Sequence, residues 1–203
     1  ALAEEISAGR ANWDSALPIY DSLKSLPSGT MQEERGGSVH TLREYARAMI
    51  SISDNTAADH LIARVGRERV EAFMESVTDR PSVNKPMLTT RDMFALKIGN
   101  RPGLLDEYFE AEVDTRREMI SRGGRVFRAQ PEVWNALMWK RPIAVEKVEW
   151  FASCHDLCRA MASLHELEKW PGLAPVGEIL RVNPGIPFDK SVWKSVGFKG
   201  GSE

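Results

Sequence analysis

Two runs of helical periodicity, one on each side of a short polar segment, constrain the fold of this 203-residue chain most strongly. In the first run, the apolar residues recur at the spacing of one buried helix face: Leu42, Tyr45, Ala46, Met49 and Ile50. Thr41 and Glu44 have the spacing of a capping box, which predicts that this helix begins at that point. The second run keeps the helical spacing up to the helix stop at Gly66, through Ala57, Ala58, Leu61, Ile62 and Val65. The chain therefore predicts two consecutive helices with residues 51–55 between them.

Further helical patterns follow along the chain. A third helix is predicted from the spacing of Val70, Phe73, Met74 and Val77. Thr89 or Thr90 begins the next helix, and later helical stretches read EAEVDTRREMI and EWFASCHDLCRAMASLHEL. Strand signals are scarce before residue 190, whereas residues 192–199 alternate between two faces. We therefore expect a helix-rich body over residues 1 to about 180, followed by a strand that delivers Lys199 to a glycine-rich end.

The charge and the hydropathy of the chain argue against two classes of partner. Lys and Arg number 27 against 29 Asp and Glu, which gives a net charge of -2, and the sequence has no basic run interleaved with aromatic residues. A nucleic-acid-binding surface is therefore not predicted. No apolar run approaches the roughly 20 residues that cross a bilayer, so no membrane segment is predicted in this chain.

The two cysteines lie four residues apart. Cys154 and Cys158 fall one turn apart on a predicted helix, a spacing that favours two small core residues over a disulfide or a metal clasp. His155 lies between them, but a second pair of ligands at zinc-finger spacing is missing from the sequence. No metal site is predicted.

Three small polar residues, Ser53, Asp54 and Asn55, lie between the first two predicted helices. One interpretation is a helix boundary, because these side chains bond to nearby backbone groups and favour caps and turns. The other interpretation is a catalytic Ser-x-Asn element. The three residues by themselves leave both interpretations open.

The setting of these residues resembles a known family. The stretch TLREYARAMISISDNTAADHLIARVG is similar to the helix, S-D-N loop and following helix of class A serine β-lactamases and their penicillin-binding-protein relatives, and FKGGS resembles their K-T/S-G strand. NKPMLTTRDMFALK and KGGSE resemble an esterase-like serine hydrolase branch of that superfamily. The resemblance implies an α/β fold of β-lactamase/transpeptidase type. This chain would supply mainly the helical part of that fold, plus one strand near its C-terminal end.

The family also uses a nucleophilic serine in an S-x-x-K motif that precedes the S-D-N loop. Two strings match these letters, Ser82 to Lys85 and Ser191 to Lys194, but the first follows the S-D-N loop and the second enters the predicted strand. We interpret both as chance matches. The resemblance then implies a nucleophile about ten residues upstream of Ala1, so that residues 1–203 form a lactamase-like serine hydrolase domain that is incomplete at both ends.

The resemblance also implies a role for each site residue. Ser53 would relay a proton between the nucleophile and the leaving group, and the Asn55 amide would hold the substrate or the S-x-x-K lysine. Lys199 would supply positive charge near Ser53, while Ser202 and Gly201 would bind a small-molecule substrate at the strand edge. The polar ends of Ser53 and Lys199 should lie within about 3 to 4 Å in one cleft, which Asn55 and Ser202 also line. No metal and no cofactor is implied.

One element of class A β-lactamases is missing. Their E-x-x-L-N loop activates the water that deacylates the enzyme, and no such string occurs between residues 90 and 150. Glu132 and Asn135 are three residues apart rather than four, and neither Glu146 nor Glu149 is followed by Leu-Asn. The sequence therefore favours a hydrolase of esters or β-lactam-like amides that is more esterase-like than an efficient β-lactamase.

Two other functions remain open at this point. The protein could keep the lactamase fold without its chemistry. It would then bind a ligand, a cell-wall fragment or a protein partner in the cleft that corresponds to the active site. Alternatively, it could be an unrelated helical interaction domain in which the S-D-N sequence is only a helix cap.

Overall fold

Helices make up most of the regular structure. The computed structural model describes residues 1–98, 103–126 and 143–201. Within these ranges the helices are α1 (Leu2–Ser7), α2 (Leu42–Ser51), α3 (Asn55–Val65), α4 (Arg67–Val77), α5 (Thr90–Ile98), α6 (Leu104–Glu110), α7 (Val113–Val126), α8 (Cys154–Leu167) and α9 (Ala174–Leu180). Short 3₁₀ helices span Asp21–Leu23, Met31–Glu33 and Pro81–Asn84. The prediction of a helix-rich body is confirmed.

Two short strands form a single antiparallel pair in the described part of the chain. They are β1 (Ala16–Pro18) and β2 (Val39–Thr41), and Leu17 pairs with His40 at the centre of the register. β2 leads directly into α2, so the pair fixes where that helix starts. The sequence did not predict these strands, because three residues are too few to show an alternating pattern.

The start of α2 and the end of α3 form as the sequence predicts. At the start of α2, the Glu44 backbone N–H donates to Thr41 Oγ1 at 3.2 Å, and the Thr41 N–H donates to Glu44 Oε2 at 2.7 Å. This reciprocal pair is the predicted capping box. α3 ends at Gly66, whose φ of 95° lies in the region that favours glycine.

The hydrophobic core around α2 and α3 brings distant parts of the chain together. It contains buried residues from α2, α3 and α9, from the 3₁₀ helix Met31–Glu33 and from the position directly after β1: Ile19, Met31, Leu42, Tyr45, Ala46, Ala57, Leu61 and Ile179. Burial of the leucine, isoleucine and methionine side chains stabilises the fold by about 1.5 to 3 kcal/mol each. Because Ile179 of α9 is part of this core, the segment that follows α9 begins close to the end of α2.

The predicted strand over residues 192–199 is not formed. The Val192 and Trp193 N–H groups donate to the Asp189 carbonyl in a turn, and the Phe198 N–H donates to the Leu180 carbonyl at 3.1 Å. Residues 195–200 form neither a helix nor a strand. An alternating sequence predicts an extended backbone, but a strand also needs a neighbour with which to form a hydrogen-bonded ladder.

The prediction that the two cysteines are core residues is wrong. Cys154 and Cys158 are both exposed free thiols on α8. Asp156 is buried, where its carboxylate accepts from the Ser153 N–H and the Thr78 hydroxyl. Because two residues along a helix differ by about 200° in direction, the burial of Asp156 turns both cysteines outward.

No helix in the described ranges combines the length and the apolar character that a bilayer span requires.

Candidate active site

Ser53 lies in a tight turn between α2 and α3. Its backbone φ of +54° is in the left-handed region, which residues with a side chain rarely adopt. The N–H groups of Ile52 and Asp54 both donate to the Ala48 carbonyl at 3.2 Å, so the turn closes back on the last turn of α2. This conformation leaves Ser53 half-buried while Asp54 is fully buried.

The Asp54 carboxylate holds this turn against the loop around residue 29. It accepts from the Ala57 N–H at 2.9 Å, as the N-cap of α3, and from the N–H groups of Thr30 at 2.7 Å and Met31 at 2.9 Å. Gly29 packs closely against the same carboxylate, since a Cβ at this position would lie 2.3 Å from the Asp54 carboxyl carbon. The N-cap agrees with the helix-boundary interpretation of residues 53–55, whereas the bonds from Thr30 and Met31 could not be predicted from the sequence.

Asn55 is fixed by the same loop. Its side-chain Nδ2 donates to the Leu26 carbonyl at 2.9 Å, and its backbone N–H donates to the Ser28 carbonyl at 3.0 Å. The Ser28 hydroxyl donates in turn to the Ile52 carbonyl at 3.2 Å. The amide nitrogen of Asn55 therefore positions the loop in this structure.

Lys199 reaches Ser53 from the other end of the chain. Its Nζ donates to Ser53 Oγ at 2.7 Å, although the two residues are 146 positions apart, and it also donates to the Gly200 carbonyl. The Lys199 side chain as a whole is exposed, but desolvation of its ammonium end lowers the pKa of Lys199 below the ordinary value of 10.5. Gly201 lies two residues further on and is exposed, and Ser202 lies outside the described residues.

The two S-x-x-K strings take part in other interactions. Lys85 forms an ion pair with Glu75, and Ser82 lies exposed in the 3₁₀ helix Pro81–Asn84. The Ser191 hydroxyl donates to Asp189 Oδ1 at 2.6 Å in an exposed turn.

The carboxylates that were compared with the E-x-x-L-N glutamate have different surroundings. Glu149 forms an ion pair with Lys97 of α5, whose side chain is 3% exposed, and Glu146 is exposed. Glu132 and Asn135 lie outside the described residues. The described residues contain no group of three or more His, Cys, Asp or Glu side chains that could hold a metal ion.

A hydroxyl and an ammonium in direct contact can carry out proton chemistry. The Ser53 hydroxyl both donates and accepts, so it can pass a proton between two groups, while Lys199 keeps positive charge beside its oxygen. A lowered lysine pKa brings proton release closer to neutral pH. Because the Asp54 contacts hold the turn, the hydroxyl does not depend on the flexible lysine side chain for its position.

The solved structures that are similar to this chain include two relatives. A β-lactamase from Sphaerobacter thermophilus DSM 20745 matches at 29% identity with a TM-score of 0.36, over 37% of this chain and 29% of that protein. The protein PBP-A matches at 24% identity with a TM-score of 0.36, over 54% of this chain and 47% of that protein. The chain therefore spans less than half the length of these two relatives. A search of curated proteins gives no match.

The sequence family is matched over a longer region. A family model described as the beta-lactamase enzyme family matches residues 1–116, which include the Ser53 turn and make up more than half of the 203 residues. The match confirms the resemblance to class A β-lactamases and penicillin-binding proteins, together with the β-lactamase/transpeptidase-like fold class. The chain belongs to the beta-lactamase enzyme family.

Proposed function

We propose that the protein containing this chain is a serine hydrolase that acts through an acyl-enzyme, with Ser53 and Lys199 as catalytic residues. The observation that carries the proposal is the 2.7 Å hydrogen bond from Lys199 Nζ to Ser53 Oγ. Membership of the beta-lactamase family supports the reaction type, since acyl transfer to a serine is the chemistry of this superfamily. The substrate is a small molecule with an ester or a β-lactam-like amide.

The proposed mechanism needs a serine nucleophile from an S-x-x-K motif upstream of Ala1. A neighbouring base takes the proton of that serine as its oxygen attacks the carbonyl carbon. As the bond from the carbonyl carbon to the leaving nitrogen or oxygen breaks, Ser53 donates its proton to that atom and takes a proton from the protonated base, while Lys199 stabilises the negative charge that develops on the leaving atom. Water then attacks the acyl ester, which releases the acid and returns a proton to the nucleophilic serine. Asn55, Gly201 and Ser202 are proposed to bind the substrate next to this pair.

We propose that esters are better substrates than penicillins. An opened β-lactam leaves a bulky acyl group, and a placed base that activates the deacylating water contributes typically 10²- to 10⁴-fold. The sequence lacks the E-x-x-L-N string, and Glu149 is paired with Lys97. A small acyl group from an activated ester leaves more room for water, so its hydrolysis depends less on such a base.

Steady-state kinetics of the full-length protein test this proposal. We expect measurable hydrolysis of an activated ester such as p-nitrophenyl acetate, and slower turnover of penicillin. Ser53→Ala and Lys199→Ala should each lower the esterase rate by at least about tenfold, because each removes one partner of the proton-transfer pair. Ser191→Ala and Lys194→Ala are matched controls from the second S-x-x-K string and should leave the rate unchanged. Unchanged rates in the Ser53 and Lys199 variants would refute the assigned roles, and faster turnover of penicillin than of ester would refute the preference.

The second candidate is a lactamase-fold domain that binds a ligand without turning it over. The observation that favours it is that Lys85 and Ser191, from the two S-x-x-K strings, are engaged with Glu75 and Asp189. Saturable binding of penicillin to the full-length protein, without ester hydrolysis and without a covalent adduct, would establish this function over the first.

A further inference from the structure

The residue before Lys199 is held at two points. The Phe198 N–H donates to the Leu180 carbonyl at 3.1 Å, at the end of α9. Its ring lies against Gly185, where an added Cβ would sit 2.5 Å from ring atoms Cγ and Cδ1. Such a distance is far shorter than any normal contact between carbon atoms. A side chain at position 185 would therefore have to displace the Phe198 ring.

Gly185 is itself tied to the end of α2. Its N–H donates to Asn183 Oδ1 at 3.0 Å, and Asn183 Nδ2 donates to the Ser51 carbonyl at 3.2 Å. Ser51 is the last residue of α2, two positions before Ser53. These contacts form a continuous series. It leads from the Ser53 turn through Asn183, Gly185 and Phe198 to Lys199, whose Nζ contacts Ser53 again.

This series of contacts explains why the exposed Lys199 side chain lies beside Ser53. A lysine is a flexible, strongly hydrated charge, and an exposed lysine loses side-chain freedom when its ammonium group is held by hydrogen bonds, here to Ser53 Oγ and to the Gly200 carbonyl. Lys199 is exposed, so enclosure of its own side chain does not explain the contact with Ser53. The position of its backbone, one residue after the anchored Phe198, does.

We propose that Phe198 and Gly185 are positioning residues that set Lys199 Nζ within hydrogen-bond distance of Ser53 Oγ, and that Asn183 ties them to the Ser53 turn. The inference rests on the proposed function, in which this pair is catalytic. It adds residues that touch neither substrate nor reacting atoms and that act through the lysine. The contact between Phe198 and position 185 needs glycine for two reasons. The Phe198 ring leaves no space for a Cβ, and the backbone φ of residue 185 is +74°, a value that favours glycine.

The test measures the Lys199–Ser53 hydrogen bond directly, in full-length protein labelled with ¹⁵N at lysine Nζ. The Lys199 signal is assigned with Lys199→Arg, and its proton exchange with water is measured near neutral pH. Ser53→Ala supplies the value for a lysine that has lost this bond. Loss of one hydrogen bond corresponds to roughly five- to tenfold faster exchange. We expect Gly185→Ala to reach the Ser53→Ala value.

A rescue experiment separates positioning from general damage. Combining Gly185→Ala with Phe198→Leu removes the clash at position 185 and keeps an apolar side chain at position 198, but the backbone strain of alanine at a φ of +74° remains, so the double variant should recover part of the slow exchange of Lys199. Gly9→Ala is the matched control, because Gly9 has a similar φ of +71° but no atom within 4 Å of an added Cβ. It imposes the same backbone strain without the clash and should leave the Lys199 signal unchanged.

The outcomes are distinct from those of the kinetic test. If Gly185→Ala does not fold, Phe198→Ala removes the ring without backbone strain and should speed Lys199 exchange to the same value. Wild-type exchange in either folded variant, or no recovery in the double variant, would overturn the inference. If the NMR results hold while Ser53→Ala keeps full esterase activity, the positioning is correct and the proposed function is wrong.

Discussion

At the scale of single residues, the shape of the Ser53 turn depends on the buried carboxylate of Asp54. Three backbone N–H groups point at this carboxylate, from Thr30, Met31 and Ala57. Backbone donors buried away from water need acceptors, and a charged acceptor makes the stronger bonds. Asp54 therefore joins the start of α3 to the loop beneath the site.

Asp54→Asn should destabilise the protein strongly. The amide keeps the size of the carboxyl group, but its NH₂ group faces backbone donors and leaves at least one of them without an acceptor. We expect the free energy of unfolding, measured by urea denaturation, to fall by about 2 to 3 kcal/mol. Asp14→Asn, at an exposed position, is the control and should change it by less than about 0.5 kcal/mol. Equal stabilities of the two variants would show that the Asp54 contacts do not hold the loop.

A buried histidine gives the protein a pH-dependent stability. His60 stacks between Tyr20 and Tyr45, at ring distances of 6.1 and 5.3 Å. Its Nδ1–H donates to the Thr56 carbonyl at 2.7 Å, and its Nε2 accepts the Tyr20 N–H at 2.9 Å. This arrangement requires the neutral ring, and burial lowers the pKa of His60 below its ordinary value of 6.5.

We expect acidification to reduce the contribution of His60. Because the unfolded chain binds the proton more readily, this contribution is fully present above about pH 6.5 and is lost as the pH falls below that value. Between about pH 7.5 and 5.5, the wild type should lose more stability than His60→Gln in urea denaturation. Burial raises the pKa of Asp59 to about 7, which acts in the opposite direction, but both proteins contain Asp59. Parallel pH profiles for the two proteins would contradict the neutral, buried His60.

At the scale of elements, a non-helical segment is attached to α5 and its preceding loop by polar contacts. Glu149 pairs with Lys97, and the Trp150 Nε1–H donates to the Leu88 carbonyl at 3.0 Å. Asn84 and Phe151 exchange two hydrogen bonds, at 2.7 and 2.8 Å. These contacts attach the segment that precedes α8 to the α5 side of the molecule.

Glu149→Gln should break the ion pair with Lys97, whose side chain is buried. Lys97 would keep its charge at 3% exposure without its carboxylate partner, and removing one member of a buried pair costs about 3 kcal/mol. The matched control is Glu166→Gln, whose partner Lys169 and own carboxylate are both more than half exposed. It should cost less than about 1 kcal/mol in the same urea denaturation experiment. Similar losses in both variants would mean that the Lys97 ammonium reaches water when its partner is removed.

Local signals predicted the elements well where they are contained in a few neighbouring residues. The capping box of Thr41 and Glu44 and the helix stop at Gly66 both formed as predicted. Which face of α8 is buried could not be predicted from the Cys154 and Cys158 spacing, because a distant contact from Thr78 to Asp156 sets the rotation of that helix. The unformed strand over residues 192–199 has the same cause, since pairing depends on a neighbour that the segment itself does not specify.

At the scale of the whole molecule, the fold brings together two residues that are 146 positions apart. Their roles were predicted from the resemblance, which carries the order and types of the site residues. The contacts that connect them, through Asn183, Gly185 and Phe198, could not be predicted in this way. They depend on the backbone conformation at Gly185 and on its packing against the Phe198 ring, and a periodic sequence pattern does not specify such a contact.

The most direct test of the proposed acyl-enzyme chemistry is the intact mass of the full-length protein after exposure to penicillin and, separately, to p-nitrophenyl acetate. We expect penicillin to add its full mass to the protein, and we expect this adduct to persist because deacylation lacks a placed base. The ester should give an acetyl adduct that is short-lived while p-nitrophenol accumulates. An unmodified mass with both reagents, together with no release of p-nitrophenol, would contradict the assignment of a serine hydrolase.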